Sequence, residues 1–322
     1  MNFLIRNESI NEFNKIALIT QKAFEINFFT NSTSLYTSEV LLVDLLRHYK
    51  SYDNDLCLVA LVDNEIVGHI MFTPFLINLY GKQIKSVCLA PVSVKPEFQK
   101  KGIGFALIEE GHKIAKSKGY KFSFLLGHET YYPKFGYKTN MFGDCGILIN
   151  KKDYKNPYSL KEIPIEQKHI PQLISFYNET FCDINLSLIA DDSIIEWKSI
   201  TPFLTTSILL ENDNAIGYIR YTVTENNISV KSLVSDNGLN LNKIFNYLFS
   251  KNYANKQIKI PIHPNSKILN DLNYIAINEI FGAAMIKILD ENCQEIVKYC
   301  DEVKNDKSKA GLLNFPIILD MV

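Results

Sequence analysis

The feature that most restricts the fold is an internal repeat. Leu61-Val-Asp-Asn-Glu-Ile-Val-Gly-His-Ile-Met-Phe-Thr73 aligns without a gap to Leu210-Glu-Asn-Asp-Asn-Ala-Ile-Gly-Tyr-Ile-Arg-Tyr-Thr222, at an offset of 149 that sets Gly68 on Gly217. Further on, Lys121-Phe-Ser-Phe-Leu-Leu-Gly127 is echoed by Gln257-Ile-Lys-Ile-Pro-Ile-His263, each a strand that follows a helix. Phe142-Gly143 then matches Phe281-Gly282, now at an offset of 139. Three matches in one order predict two copies of a single supersecondary unit. The shorter second offset means that the later copy has lost residues before its last strand. At 322 residues the chain has room for two such domains.

Periodicity fills in the first copy. Ile10, Phe13, Ile16, Ala17, Ile19 and Phe24 predict a helix over 8–27, and a shorter helix is expected over 38–49. The period then changes to that of strands: Leu56 to Leu61, Ile66 to Phe75 and Ile84 to Val94, joined by turns at Asp63-Asn64 and Tyr80-Gly81-Lys82. These three read as an antiparallel meander. A helix over 103–118 carries the apolar stripe Ile103, Leu107, Ile108, Ile114 and Ala115, with Gly119 as its stop. The apolar Lys121–Leu126 is a strand buried on both faces. The expected class is α/β (α+β), a mixed and mostly antiparallel sheet flanked by helices. The polar segment 151–160 reads as a linker, dividing a domain over 1–150 from one over 161–290, with a C-terminal extension over 291–322.

Charge and cysteine usage exclude several functions. With 34 basic and 35 acidic side chains the net charge is −1, which argues against a nucleic-acid or anionic-membrane partner. The six cysteines show no C-x-x-C pair and no histidine at metal spacing, so neither a metal site nor a disulfide framework is expected. The first residues lack the apolar core of a signal peptide, and no stretch reaches the ~18 apolar residues of a membrane span. A cytoplasmic protein is the expectation, with homo-oligomerisation left open.

One segment carries chemistry. Gln99-Lys100-Lys101-Gly102-Ile103-Gly104 lies between the strand that ends at Val94 and the helix that begins near Ile103. The first N–H groups of a helix have no partner within it, and the helix dipole adds about half a positive charge there. Together they make an anion site. Gly102 and Gly104 let the backbone approach an anion's oxygens, Gln99 has an amide to donate, and Lys100 and Lys101 place charge at the rim. The pattern lacks the Gly-Lys-Ser/Thr of a Walker loop and the G-x-G-x-x-G of a dinucleotide fingerprint. Its counterpart, Ser235 to Lys243, has one glycine and no basic pair, so the second copy is not expected to hold phosphate.

Leu89 to Ile108, including Gln99 to Gly104, resembles the central motif of the GNAT acetyltransferases, strand, loop and helix together. Leu126-Gly-His-Glu-Thr-Tyr-Tyr-Pro-Lys-Phe-Gly-Tyr137 resembles that family's later motif, in which a tyrosine precedes a Phe-Gly turn. The clear resemblance covers about 1–150. The second half resembles a degenerate copy, as in tandem bacterial acetyltransferases of the enhanced-intracellular-survival type. The resemblance implies acetyl-coenzyme A as co-substrate and direct transfer of the acetyl group to a primary amine. Main-chain groups of Val92, Ser93 and Val94 would meet the pantetheine and thioester, Gln99 to Gly104 the pyrophosphate, and Tyr132 would protonate the departing thiolate, with Tyr131 as the rival for that role. A small-molecule amine is expected as acceptor rather than a protein. Two alternatives stay open: a coenzyme A-binding regulatory protein without transfer chemistry, and transfer of a larger acyl group.

The proton acceptor is less defined. An alkylamine of pKa near 10.4 is about one part in a thousand neutral at pH 7, a deficit of about 4–5 kcal/mol that a base or a desolvated site must offset. The candidates are His128, the C-terminal carboxylate of Val322 and a water-relayed base, since the strand 84–94 has no Asp or Glu. His69, matched by Tyr218, reads as a packing residue.

Overall fold

A computed structural model describes residues 2–25, 37–199, 201, 203–251 and 253–314. The first half runs β1 (Leu4–Asn7), α1 (Phe13–Phe24), α2 (Ser38–Arg47), β2 (Cys57–Val62), β3 (Glu65–Leu79), β4 (Lys82–Val94), α3 (Ile103–Ser117), β5 (Phe122–Leu126) and β6 (Gly146–Asn150). The second half repeats much of that order with β7 (Lys161–Ile163), α4 (Ile170–Phe181), β8 (Leu186–Leu188), β9 (Thr205–Glu211), β10 (Asn214–Thr224), β11 (Asn227–Ser235), α5 (Gly238–Ser250), β12 (Gln257–Ile260), β13 (Ile275–Ile277), β14 (Ala284–Ile288) and α6 (Gln294–Asn305). Among the described residues no helix is long and apolar enough to cross a membrane.

Local chemistry sets these elements. Asp63 and Asn64 both take positive φ, at 47° and 65°, the two-residue turn that matches strand twist; Asn212 and Asp213 repeat it at 48° and 63°. Each hairpin also slips register just before the matched glycine, between Ala60 and Leu61 in one and between Ala215 and Gly217 in the other. A glycine is needed at 68, because a Cβ there would stand 3.1 Å from both Ile103 Cγ2 and Leu107 Cδ1, the buried stripe of α3. That close approach seats the start of α3 on the sheet.

The sheets show what the chain order conceals. The main sheet runs β1-β2-β3-β4-β5-β14, with β8 added to β3, and a second runs β11-β10-β9-β7. A third contains β12-β6-β13. Thus β6, from the first half, pairs with β12 of the second, while β14, from the second half, pairs antiparallel with β5 of the first. Late strands of each half therefore pair with strands of the other. The two matched Phe-Gly segments meet where the strands cross: the Phe281 N–H donates to Phe142 O, and Gly143 bridges Ile280. The segment 151–160 therefore separates stretches of chain that stay interleaved in space.

Three larger cores result. One lies between the halves and holds Phe75, Cys88, Phe124, Phe142, Tyr177, Trp197, Tyr218 and Tyr299. A second belongs to the C-terminal half around Phe245, Leu209 and Ile258. The third packs α3 on the main sheet through Phe72, Leu107, Ile108 and Leu125.

Candidate functional site

The site grows out of an irregularity in β4. Opposite β3, Ile70 pairs with Val92 and Phe72 with Leu89, so Ala90 and Pro91 form a bulge facing Met71 alone. On its other edge β4 pairs in parallel with β5 only from Ser86–Phe122 to Cys88–Phe124. Beyond Cys88 the strands part.

The free edge belongs to the residues expected from sequence. The Lys95 N–H donates to Val67 O across β3. Hydrogen-bonding direction alternates along an antiparallel ladder, so Ser93 also faces β3, while Val92 and Val94 turn their peptide groups toward the gap left by β5. Ser93 contributes its side chain on the α1 face instead, where its buried hydroxyl donates to Thr20 Oγ1 at 3.3 Å.

The chain then turns through Pro96–Phe98 into α3, with Lys100 at φ 59° and Gly102, the N-cap, at φ 86°. Among the described residues the N–H groups of Lys101 to Phe105 have no main-chain acceptor; the first helical bond outside α3 itself runs from Ala106 N–H to Gly102 O. These donors converge at a helix start, a ready site for an anion. Gln99 is oriented inward: its Nε2 donates to Val94 O at 3.1 Å, which ties the loop to the end of β4. Lys100 and Lys101 are exposed, and Lys101 Nζ stands 5.0 Å over the Phe98 ring.

The two tyrosines separate by position. A Cβ on Gly104 would lie 3.0 Å from the Tyr131 hydroxyl, so Tyr131 reaches the mouth of the loop. Tyr132 packs its ring on Gly127, where any Cβ would collide with it, and stands 5.9 Å from the Tyr137 ring. Burial raises the Tyr132 phenol well above its ordinary range, with Tyr131 and Cys88 adding to the shift. It keeps its proton at any working pH. Tyr137 anchors this loop through hydrogen bonds between its hydroxyl and both His112 Nε2 (2.9 Å) and Ser123 Oγ (2.7 Å). His112 is neutral, held down at about 3 by burial and by Lys287, whose Nζ on β14 lies 3.1 Å from its Nδ1. The exchanged strand thus helps to fix the tyrosine loop.

Of the base candidates, His128 is exposed at the end of β5, and its carbonyl accepts the Tyr131 and Tyr132 N–H groups. Val322 lies outside the described residues. His69 is fully buried in a polar cluster that periodicity did not reveal. Its Nε2 lies 3.1 Å from Glu8 Oε2, while Arg47 grips the same carboxylate with Nε at 3.0 Å and NH2 at 2.7 Å. The Tyr52 hydroxyl donates to Glu8 Oε1 at 3.0 Å. Burial opposes ionisation of Glu8, but the hydrogen bonds from His69 and Arg47 outweigh it and hold the carboxyl at about 2. The only sequence sign of this cluster was a histidine in an apolar strand; its partners come from three other segments.

Comparison with known proteins agrees with this geometry. Residues 5–139 match the family model for the acetyltransferase (GNAT) domain. The chain is 34% identical over 127 residues to the uncharacterized N-acetyltransferase YjhQ of Escherichia coli (strain K12), which covers 39% of this chain and 66% of that protein. Nearly the whole fold is shared with a probable N-acyltransferase from Enterococcus faecalis V583 (TM-score 0.68, 14% identity, 90% of this chain and 73% of that one). A GCN5-related N-acetyltransferase from Kribbella flavida is similar (TM-score 0.66, 15% identity, 90% and 72%). Residues 5–139 are thus a GNAT acetyltransferase domain.

Proposed function

We propose that this chain transfers the acetyl group of acetyl-coenzyme A directly to a primary amine of a small molecule, and that its second half is a degenerate GNAT-like copy that shapes the acceptor side. The observation that carries the reading is the order of two features along the chain: peptide groups of Val92 and Val94 that face the gap where β4 and β5 part, and then the N–H cluster at Lys101–Phe105. That order suits an extended ligand with amides at one end and a diphosphate at the other. Val92 and Val94 would meet the pantetheine amides, and the amides of Gly102, Ile103 and Gly104 the pyrophosphate, with Lys100 and Lys101 lending charge at the rim. Preorganised donors facing the thioester oxygen stabilise a tetrahedral intermediate by about 3–4 kcal/mol each.

In the reaction the neutral amine attacks the thioester carbonyl, a nitrogen–carbon bond forms, and the carbon–sulfur bond breaks. The thiolate takes the Tyr132 proton, and water relays the proton lost by the amine back to the Tyr132 oxygen. Tyr132 suits the acid role because it is held protonated and lies beside Gly127, where β5 has left β4. Tyr131, at Gly104, suits a contact to phosphate. Release of free thiol from acetyl-coenzyme A across a panel of amines tests the reading. Tyr132→Phe is expected to lower kcat by about 100-fold while leaving the acetyl-coenzyme A KM nearly unchanged. Tight coenzyme binding with no amine-dependent thiol release would favour a binding or regulatory protein instead.

A further inference from the structure

The loop that carries Tyr132 is held in part by a strand from the far end of the chain. In the β14–β5 ladder Lys287 stands opposite Ser123. Its neighbour Ile286 bridges Lys138 in both directions: the Lys138 N–H donates to Ile286 O at 2.8 Å, and the Ile286 N–H donates to Lys138 O at 3.1 Å. The stem of Lys287 passes the Phe-Gly turn of the loop, since a Cβ on Gly136 would stand 3.9 Å from its Cε. The stretch from Tyr132 to Lys138 is therefore gripped by β14 as well as by His112 of α3.

The side chains along this grip form a line whose hydrogen bonds run one way. The Lys287 ammonium lies 3.1 Å from His112 Nδ1. An ammonium has hydrogens to give and no lone pair, so Nδ1 is the bare nitrogen and the proton of the neutral ring sits on Nε2. Nε2 then donates to the Tyr137 oxygen at 2.9 Å, and the Tyr137 hydrogen is left for Ser123 Oγ at 2.7 Å. Glu109 Oε1 stands 3.5 Å from the ammonium and 3.6 Å from Nδ1, too far to hydrogen-bond the ring. With Lys287 removed, Nδ1–H could turn to Glu109, Nε2 would accept from Tyr137, and the line would run either way. The ring of Tyr137 in turn seats Tyr132, whose ring lies 5.9 Å away at 77° and packs on Gly127.

We propose that Lys287 is a positioning residue for the general acid: by fixing the His112 tautomer it holds Tyr137 in one orientation, and Tyr137 holds the ring of Tyr132. The inference rests on the assignment of Tyr132 as acid and deepens it by naming what aims that side chain. A strand that follows the second copy then contributes directly to the geometry of transfer in the first.

Nitrogen NMR of isotope-labelled histidine reads the tautomer in the full chain. His112, assigned by the signal lost in His112→Gln, should show a protonated Nε2 and a bare Nδ1. Lys287→Met removes the charge and keeps the stem, and it should move that signal toward the opposite tautomer. In the transfer assay Lys287→Met is expected to lower kcat about tenfold while the acetyl-coenzyme A KM stays within about twofold. Lys287→Arg, which can also donate to Nδ1, should restore both the signal and kcat. On a Tyr137→Phe background, Lys287→Met should cost less than about twofold further, because both act through one line. A bare Nε2 in the parent, parental kcat in a folded Lys287→Met, or fully additive losses overturn the proposal. If the parent releases no thiol from acetyl-coenzyme A, the transfer reading falls, and carbon NMR of ring-labelled tyrosine still decides the positioning: a Tyr132 signal displaced in Lys287→Met upholds it, and an unmoved one overturns it.

Discussion

Replacing Gly104 by valine tests the loop where geometry leaves least room. A Cβ there falls 3.0 Å from the Tyr131 hydroxyl and 3.7 Å from Val94 Cγ2. The two further methyls of valine must occupy the space between the start of α3 and the tyrosine loop, where a diphosphate would lie. Hydrogen bonds from N–H groups to a charged oxygen are worth about 1.5–3 kcal/mol each. Displacing the anion from two of them removes about 3–6 kcal/mol, or roughly 100- to 10,000-fold in Kd at 1.4 kcal/mol per tenfold. Calorimetric titration with coenzyme A reads that loss directly, while circular dichroism monitors the fold. Lys113→Ala serves as the control, since Lys113 is exposed toward the far end of α3 from the loop. A Gly104→Val protein with Tm within about 2 °C of the parent and an unaltered coenzyme Kd would refute the anion cradle.

Glu8 makes a prediction about acid stability. Its folded carboxyl lies at about 2 against an ordinary 4.5, so its contribution, about 3 kcal/mol, is present above pH 4.5 and lost as pH falls toward 2. Glu8→Gln should flatten that limb of the stability–pH curve in denaturant titrations, and also destabilise at pH 7 by about 3–5 kcal/mol because Arg47 is left buried without its carboxylate; an unchanged acid limb would contradict the assignment. Gly111→Ala should destabilise by about 1–3 kcal/mol, since a Cβ there would drive into the Phe72 ring; unaltered thermal unfolding would show that α3 shifts freely on the sheet.

The elements that periodicity can see were legible. The expected helix at 103–118 is α3 (Ile103–Ser117), the strand at 121–126 is β5 (Phe122–Leu126), and the meander is β2, β3 and β4. The matched hairpins share their turn residues and their register slip because both are local properties of a dozen residues. The strand exchange was not legible. Gly146–Asn150 and Ala284–Ile288 read alike as short apolar strands, and nothing in either specifies which sheet receives it. The loop before α3 was legible as a glycine-bearing turn from strand to helix, because Gly102 at positive φ and the start of α3 are local features. The partners of His69 were not: Glu8, Arg47 and Tyr52 lie elsewhere in the chain, and only tertiary packing brings them to that histidine.

The exchange of late strands bears on how the protein is made. On the ribosome, β5 emerges early, yet the strand that covers its outer edge, β14, ends at Ile288. Until that point the nascent coenzyme-binding unit exposes a row of unpaired, apolar strand backbone, the kind of edge that invites other chains to pair with it. Synthesis of the second half is therefore also a race to shield the first, and a chain cut short before β14 would be prone to clump rather than survive as a smaller working enzyme.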